Sequence, residues 1–216
     1  MIVQIQGGTF CDSPHQYRDD AGLWVPSATQ VLKLQGLSDY DGVPEDRMEV
    51  ASIRGSKVHD LAKSHFRYGD VDPSWITEET AGYFDGYLKF LRETGFVPDP
   101  HWIEKGIICK IHHMKLGLTP DVFGKIGRDP WLVEIKCTSG VQASWSIQTG
   151  LQEMGIHGSN HVGRVRRGAL QLFKDGRYKL HPHTDHQTDE QIGIAALMLV
   201  YWRMEKGQDL EKRLAA

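Results

Sequence analysis

The sequence predicts an α/β fold in which helices flank a mixed central β-sheet. Residues Val122–Ile126 and 131–137 are short, apolar-rich stretches separated by turn-forming residues at 127–130, a pattern typical of a β-hairpin. Longer stretches with apolar residues at helical spacing precede and follow this hairpin, at 47–68 and Ser144–His157. Strands and helices that alternate in this way indicate a layered fold with the hairpin at its centre.

The N-terminal part of the chain has weaker signals. Residues 1–25 mix glycines and polar residues, which predicts an irregular segment with one short strand at Ile2–Ile5. A short helix is expected over 26–35, with Ser27 or Thr29 as its cap. With 216 residues, 40% of them hydrophobic and 25% charged, the whole chain is predicted to form a single globular domain.

Three further elements complete the predicted order before the central hairpin and after the helix Ser144–His157. Thr77 is expected to cap a helix that ends at Gly95, and residues 102–109 are expected to form the first strand of the sheet. Residues 164–173 and 177–181 predict a second hairpin. A last helix is expected over 188–206, begun by a Thr188–Gln191 capping box; because it is apolar nearly all round, burial is expected.

Charge and cysteine content limit the possible partners and compartments. The formal net charge is −3, so any contact with a nucleic acid requires a local basic patch. The best candidate is the second hairpin, although a solvated charged hairpin is an alternative; its basic residues are Arg164, Arg166, Arg167, Lys174, Arg177 and Lys179. The three cysteines lack Cys-x-x-Cys spacing, no signal peptide is recognisable, and the longest apolar stretch is too short to span a bilayer. A cytoplasmic location without membrane contact is therefore expected.

The central hairpin carries the first candidate site. Side chains alternate along a strand, so Glu134 and Lys136 share one face. A simple turn that pairs Ile126 with Trp131 places Asp121 opposite Lys136 and makes it a diagonal neighbour of Glu134, roughly 7–8 Å away. Two carboxylates so placed predict a divalent-metal site with an assisting cation. The alternative is a solvated strand face with one salt bridge, but charges on a central apolar strand are costly unless they are paired or used.

Three motifs in order along the chain resemble those of a known nuclease group. Thr119-Pro120-Asp121 followed by Glu134-Ile135-Lys136 resembles the PD-(D/E)XK signature. Arg54-Gly55-Ser56-Lys57-Val58-His59 resembles the "RG-x-x-VH" helix of the RecB-like and phage-type exonuclease branch, and Trp145-Ser146-Ile147-Gln148 resembles its glutamine motif. The chain is on this basis similar to the PD-(D/E)XK nuclease superfamily, and the resemblance implies a restriction-endonuclease-like core.

The resemblance also implies roles for individual residues. It makes Asp121, Glu134, Lys136 and Gln148 catalytic, and it places Mg²⁺ or Mn²⁺, as one or two ions, on His59, Asp121, Glu134 and the Ile135 carbonyl, with Glu104 as a further candidate. Arg54 is a candidate phosphate contact, although a solvated or salt-bridged helix residue is nearly as good an interpretation. The branch often carries Gln-x-x-x-Tyr where this chain has Gln148-x-x-x-Gln152, which leaves the role of Gln152 open.

The function implied by the resemblance is a metal-dependent DNA exonuclease of phage or mobile-element recombination and repair. Its expected partners are DNA, chiefly duplex ends, with a homo-oligomer and a single-strand-annealing protein as further expectations. Two alternatives stay open: an endonuclease or nickase with the same chemistry, and a non-catalytic nucleic-acid-binding protein with this fold. Retention of Asp121, Glu134 and Lys136 argues against the last alternative.

Overall fold

The secondary structure alternates between short strands and longer helices. The computed structural model describes residues 2–11, 15–38, 44–103, 105–157 and 165–215. The strands are β1 (Ile2–Ile5), β2 (Gly8–Cys11), β3 (Gln16–Asp19), β4 (Trp24–Val25), β5 (Val97–Ile103), β6 (Ile107–Ile111), β7 (Met114–Leu118), β8 (Val122–Ile126), β9 (Asp129–Lys136), β10 (Arg166–Leu172) and β11 (Tyr178–His183). The helices are α1 (Ala28–Leu34), α2 (Glu45–Tyr68), α3 (Glu78–Thr94), α4 (Ser144–His157), α5 (His186–Glu205) and α6 (Leu210–Ala215).

A five-stranded sheet forms the centre of the fold, in the order β11-β10-β9-β8-β5. The β9–β10 pair is parallel and the other three pairs are antiparallel. The predicted α/β class with a mixed central sheet is confirmed, and so are both predicted hairpins. Strand β9 is the middle strand, as its apolar residues indicated.

The register of the central hairpin differs from the predicted one by two residues. Ile126 pairs with Asp129 rather than Trp131, so the turn contains only two residues, Gly127 and Arg128. Gly127 has φ 62°, a conformation that glycine adopts without the steric cost of a side chain. Val122 pairs with Val133, so Asp121 lies one step beyond this pair, directly across from Glu134. The prediction that Asp121 faces Lys136 is wrong. The observed register places the Asp121 and Glu134 carboxylates directly across from each other, closer than the predicted diagonal arrangement.

The N-terminal segment is ordered as a sheet. Strand β1 is confirmed, but residues predicted to be irregular form a four-stranded antiparallel meander, β1-β2-β3-β4. Single bridges join this meander to the β6–β7 hairpin, from Gln6 to Ile107 and from Ser27 to Gly117. The predicted first strand over 102–109 is also corrected, because β5 ends at Ile103 in the central sheet and β6 begins at Ile107 in a separate hairpin.

The helix ends follow the capping residues in most cases. Ser27 caps α1 through a reciprocal pair of hydrogen bonds with Gln30, at 2.9 and 3.2 Å. Helices α2 and α3 end at Gly69 and Gly95, both left-handed, and α3 begins after Thr77 as predicted. Helix α5 begins earlier than predicted, since its cap is Asp185, which accepts a hydrogen bond from the Thr188 N–H at 3.2 Å.

Helix α5 is buried on one side only. Val200 and Leu197 are fully buried, but four apolar side chains, Ile192, Met198, Leu199 and Trp202, are exposed on the other side. The prediction of a largely buried helix is wrong because an all-round apolar sequence does not reveal which face has neighbours. A short helix, α6, follows α5 along the chain. Across the described part of the chain, no helix combines the length and apolar character needed to cross a bilayer.

Two apolar clusters hold the layers together. The first joins α2 and α3 to the central sheet; Val58, Leu61 and Phe90 pack there with Val133 and Ile135 of β9. The second joins α1, α4, α5 and α6 to β6 and β7. The carboxyl end of β9 lies where these two halves meet, with α2 on one side and α4 on the other.

A buried ionic network ties β10 to α4 and α5. The Arg167 side chain is 0% exposed; its Nε lies 2.9 Å from Oε2 of Glu153 and its Nη2 lies 3.1 Å from Oδ2 of Asp189. Its Nη1 also donates to the carbonyl of Ser146 at 2.8 Å. The guanidinium therefore has anionic and neutral acceptors on two helices, as a buried charge requires.

Glu190 lies at the edge of this network and is expected to make folding stability depend on pH. Burial raises the pKa of its carboxyl to about 7, and the Glu153 and Asp189 carboxylates also raise it while Arg167 lowers it. Between the ordinary value and about 7, the folded protein holds a proton that the unfolded chain has lost. The free energy of unfolding is therefore highest below the ordinary pKa of this carboxyl, and it falls as pH rises through about 7.

Glu190→Gln should remove this loss. We expect the variant and the wild type to have the same urea midpoint at pH 4, and the variant to be more stable at pH 8 by on the order of 1 kcal/mol. Urea titrations of both proteins at the two pH values measure the difference. An identical fall in stability from pH 4 to pH 8 in both proteins would contradict the assignment to Glu190.

Candidate active site

Two acidic residues and a lysine meet at the carboxyl end of the central strand. Asp121 immediately precedes β8, and Glu134 and Lys136 are among the last residues of β9. The two carboxylates are buried, at 8% and 5% exposure. Val133 and Ile135 point to the other face and pack under α2 and α3, so the predicted alternation along β9 is confirmed.

The Asp121 carboxylate is held by β9 and α2. Its Oδ2 accepts a hydrogen bond from the Ile135 N–H at 2.6 Å, and its Oδ1 lies 3.2 Å from Nδ1 of His59. The Nε2 atom of His59 lies 3.2 Å from the Ile135 carbonyl oxygen. The structure thus brings together His59, Asp121 and the Ile135 carbonyl, which the sequence predicted to share one site.

The Glu134 carboxylate is held by α4 and by Lys136. Its Oε1 accepts from Nε2 of Gln148 at 2.6 Å and lies 3.1 Å from Nζ of Lys136. The Lys136 ammonium also donates to Oε1 of Gln148 at 2.9 Å. Gln148 therefore bridges the acid and the lysine, which fixes the direction in which the ammonium group points.

Gln152 is a site residue whose role the sequence left open. Its Nε2 donates to Oε2 of Glu134 at 2.9 Å, so both carboxylate oxygens of Glu134 accept from α4. Its Oε1 is buried and has no hydrogen-bond partner in the described structure. The four-residue spacing from Gln148 places both amides on one face of the helix, and this spacing was the available signal.

The two carboxyl groups have opposite pKa shifts. Burial alone would raise the pKa of Asp121, but His59, Lys136 and the Ile135 N–H bring it below its ordinary value. Burial raises the pKa of Glu134, and the Asp121 carboxylate raises it further against the effect of Lys136. Two nearby acids whose pKa values separate in this way are characteristic of functional sites.

The donor set of the site has the chemistry that a hard divalent cation requires. Asp121, Glu134 and the Ile135 carbonyl all present oxygen atoms, which suit Mg²⁺ and Mn²⁺. Among the residues for which side chains are described, no three His, Cys, Asp or Glu groups already form a metal cluster. His59 contacts two of the oxygen donors, so binding of an ion there requires its ring to exchange these hydrogen bonds.

A cleft of about 820 Å³ opens above these residues. Its walls are the N-terminal meander, the start of α1, one face of α2 and the end of β9. Tyr17 of the meander is hydrogen-bonded to Thr119, two residues before Asp121, which fastens this wall to the site. The part of α2 that lines the cleft contributes Ala51, Ser52, Gly55, Ser56, His59, Asp60, Lys63 and Arg67.

Arg54 lies outside this lining. Its Nη2 donates to the Cys137 carbonyl at 3.2 Å, and its guanidinium lies 5.2 Å from the centre of the Tyr83 ring. These contacts connect α2 to β9 and α3, so the structure gives Arg54 a role within the fold. Glu104 and Arg164, predicted to bind metal and DNA respectively, lie outside the described residues.

The predicted basic patch on the second hairpin is not a single surface. Arg166 pairs in register with Trp131, near the start of β9, and forms an exposed ion pair with Asp129 at 2.9 Å. Lys174 and Arg177 lie at the opposite end of β10, where the turn backbone packs against Gly82 and Gly86 of α3. The prediction that Arg167 contacts DNA is wrong, because its guanidinium is fully buried among its partners from α4 and α5.

Comparisons with known proteins give a weak structural likeness. No family model matches the chain, and no curated protein matches it. The crystal structure of SSO0001 aligns with 79% of this chain and 82% of its own, at 10% sequence identity and a TM-score of 0.35. A likeness at this level does not establish a shared fold.

Proposed function

We propose that the protein is a metal-dependent DNA exonuclease with a restriction-endonuclease-like core. The observation that supports this most directly is the convergence of Asp121, Glu134 and Lys136 at the end of the central strand, open to a cleft. Two buried carboxylates beside a lysine are costly to maintain in a fold, which favours a functional role. The resemblance of the surrounding motifs to PD-(D/E)XK nucleases supplies the choice of substrate.

The chemistry proposed is hydrolysis of a phosphodiester bond by water. A bound magnesium or manganese ion would neutralise phosphate charge and make a water molecule more acidic. Asp121, Glu134 and the Ile135 carbonyl would hold such an ion. Lys136, oriented by Glu134 and Gln148, would donate a hydrogen bond to the attacking water or to the negative charge that develops on the phosphate.

Covalent catalysis by a thiol has no support in this site. Burial raises the pKa of Cys137 to about 12, so this thiol next to Lys136 is protonated at neutral pH.

Gln148 keeps the ammonium of Lys136 directed at the carboxylates without itself changing charge. In this proposal Asp121 and Glu134 hold the cation and the Lys136 ammonium donates to the reacting oxygen. The Gln148 amide positions Glu134 and Lys136.

The biological setting proposed is phage or mobile-element recombination in the cytoplasm. The substrate would be the end of a DNA duplex, and the partners would include a single-strand-annealing protein and further copies of this chain. An endonuclease or nickase uses the same residues and differs in how the substrate enters the cleft. A non-catalytic nucleic-acid-binding protein would not require the buried acid pair.

Digestion of linear and covalently closed circular duplex DNA tests the proposal. Wild-type protein and Lys136→Ala are compared with Mg²⁺, with Mn²⁺ and with EDTA. We expect metal-dependent loss of linear DNA alone, abolished in the variant. Cutting of the circle would replace the exonuclease by an endonuclease, and binding without cleavage in both proteins would leave the non-catalytic alternative.

A further inference from the structure

A second groove lies beside the cleft, on an adjoining face of helix α2. Its volume is about 530 Å³, and it shares Asp60, Lys63 and Arg67 with the lining of the cleft. Lys63 and Arg67 lie one helical turn apart on α2, so together with Asp60 they form a boundary between the two cavities that carries two cations and one acid. A flexible chain that leaves the cleft over this boundary enters the groove.

Two exposed aromatic side chains line this groove. Tyr68, the last residue of α2, is 78% exposed, and Trp75 is 60% exposed. Trp75 ends a one-turn 3₁₀ helix, Pro73–Trp75. The backbone of this turn is held by a hydrogen bond that the Trp75 N–H donates to the Asp72 carbonyl at 3.0 Å. Large aromatic rings held at the surface by a rigid backbone provide platforms on which flat groups can stack.

The charge of the groove favours an anionic ligand. Lys57, Lys63 and Arg67 supply three cationic groups, and Asp60 supplies the single acidic group among the lining residues. Cations interleaved with aromatic rings are the combination that single-stranded nucleic acid requires, since phosphates need charge and unpaired bases need a stacking surface. In a duplex the bases are stacked on one another, so the faces of Tyr68 and Trp75 are of use only to an unpaired strand.

We propose that this groove binds an unpaired DNA strand next to the catalytic cleft. The inference rests on the proposed nuclease function for the direction of the path, which leads from Asp121 and Glu134 over Lys63 and Arg67 to Trp75. The groove makes a frayed end or a single-stranded overhang the preferred form of the substrate. It also replaces the second hairpin as the principal nucleic-acid contact outside the cleft.

Binding measurements in EDTA test the groove without cleavage. A fluorescein-labelled oligothymidylate and a blunt hairpin duplex are titrated with wild type, Trp75→Ala, Trp75→Phe and Trp202→Ala. Trp202 is a matched control, because it is 52% exposed on α5 and lines neither cavity. We expect Trp75→Ala to weaken oligothymidylate binding about tenfold, with little change for the duplex, and Trp75→Phe to retain most of the affinity.

A direct reporter is available in the same titration. Quenching of tryptophan fluorescence by the oligothymidylate should fall in Trp75→Phe and remain in Trp202→Ala. Equal oligothymidylate affinity in wild type and Trp75→Ala would overturn the proposal, as would an equal loss for the duplex. Cleavage by the same preparations separates the two proposals: an active nuclease insensitive to Trp75 rejects the groove alone, and an inactive protein whose binding depends on Trp75 rejects the nuclease alone.

Discussion

Asp121→Asn is expected to reduce DNA cleavage about a thousand-fold while the protein stays folded. The substitution keeps the shape of the side chain, and the amide oxygen can still accept the hydrogen bond that the Ile135 N–H now donates at 2.6 Å. What is lost is the negative charge opposite Glu134. Because His59, Lys136 and the Ile135 N–H hold the pKa of Asp121 below its ordinary value, loss of the charge should cost some stability, which relief of the repulsion with Glu134 partly offsets.

Asp129→Asn provides a control of the same chemistry in the same hairpin. Asp129 begins β9 at the end remote from the cleft, and its carboxylate forms an exposed ion pair with Arg166. This variant should cleave DNA at the wild-type rate, since exposed ion pairs contribute little.

Thermal stability with and without Mn²⁺ gives a readout independent of cleavage. Millimolar Mn²⁺ should raise the melting temperature of the wild type and of Asp129→Asn, and it should have little effect on Asp121→Asn. Cleavage by Asp121→Asn within tenfold of the wild-type rate would reject Asp121 as a catalytic residue. If Mn²⁺ raised the melting temperature of Asp121→Asn as much as that of the wild type, Asp121 would be rejected as a metal ligand.

The composition of the site could be predicted from the sequence because its signals are local. Alternation along β9 separates Glu134 and Lys136 from the core residues Val133 and Ile135, and this pattern needs no knowledge of the rest of the fold. His59 and Gln148 are recognisable only from the motifs that contain them, since a lone histidine or glutamine on a helix has no distinctive spacing. The four-residue separation of Gln152 from Gln148 places both amides on one face of the helix, and this is the sequence signal for Gln152.

Features that depend on distant partners could not be predicted in this way. The residues around Gly127 are compatible with a two-residue or a longer turn, and the choice between them shifts the whole register. The strands of the N-terminal meander are at most four residues long, too short for a periodic pattern. The exposed face of α5 shows the same limit, because an apolar residue such as Trp202 carries no sign of whether a neighbour covers it.

Arg167 is the sharpest example of this limit. In the sequence it stands beside Arg166 in a basic strand; alternation places the two side chains on opposite faces, but nothing local shows which face is buried. In the structure Arg167 is fully buried and pairs with the carboxylates of Glu153 and Asp189, which lie 14 and 22 residues away along the chain. Arg166 is exposed. The pair therefore allows a direct test of the two environments with the same substitution.

Arg167→Ala is expected to destabilise the protein by about 3–5 kcal/mol. Removal of the guanidinium leaves the carboxylates of Glu153 and Asp189 buried without their cation, and it withdraws the hydrogen bond to the Ser146 carbonyl at the start of α4. Arg166→Ala should cost less than about 1 kcal/mol, because its ion pair with Asp129 is solvated. Urea denaturation of the three proteins at pH 7 measures both differences.

Cleavage and binding by the two variants decide between a structural and a DNA-binding role for Arg167. If its role is structural, DNA affinity measured in EDTA at low temperature, where the variant is still folded, should equal that of the wild type. A loss of affinity with unchanged stability would restore the interpretation that Arg167 contacts DNA. Because Ser146 and Gln148 lie on the same turn of α4, a stable but slow Arg167→Ala would instead show that the buried network positions the amide that holds Glu134 and Lys136.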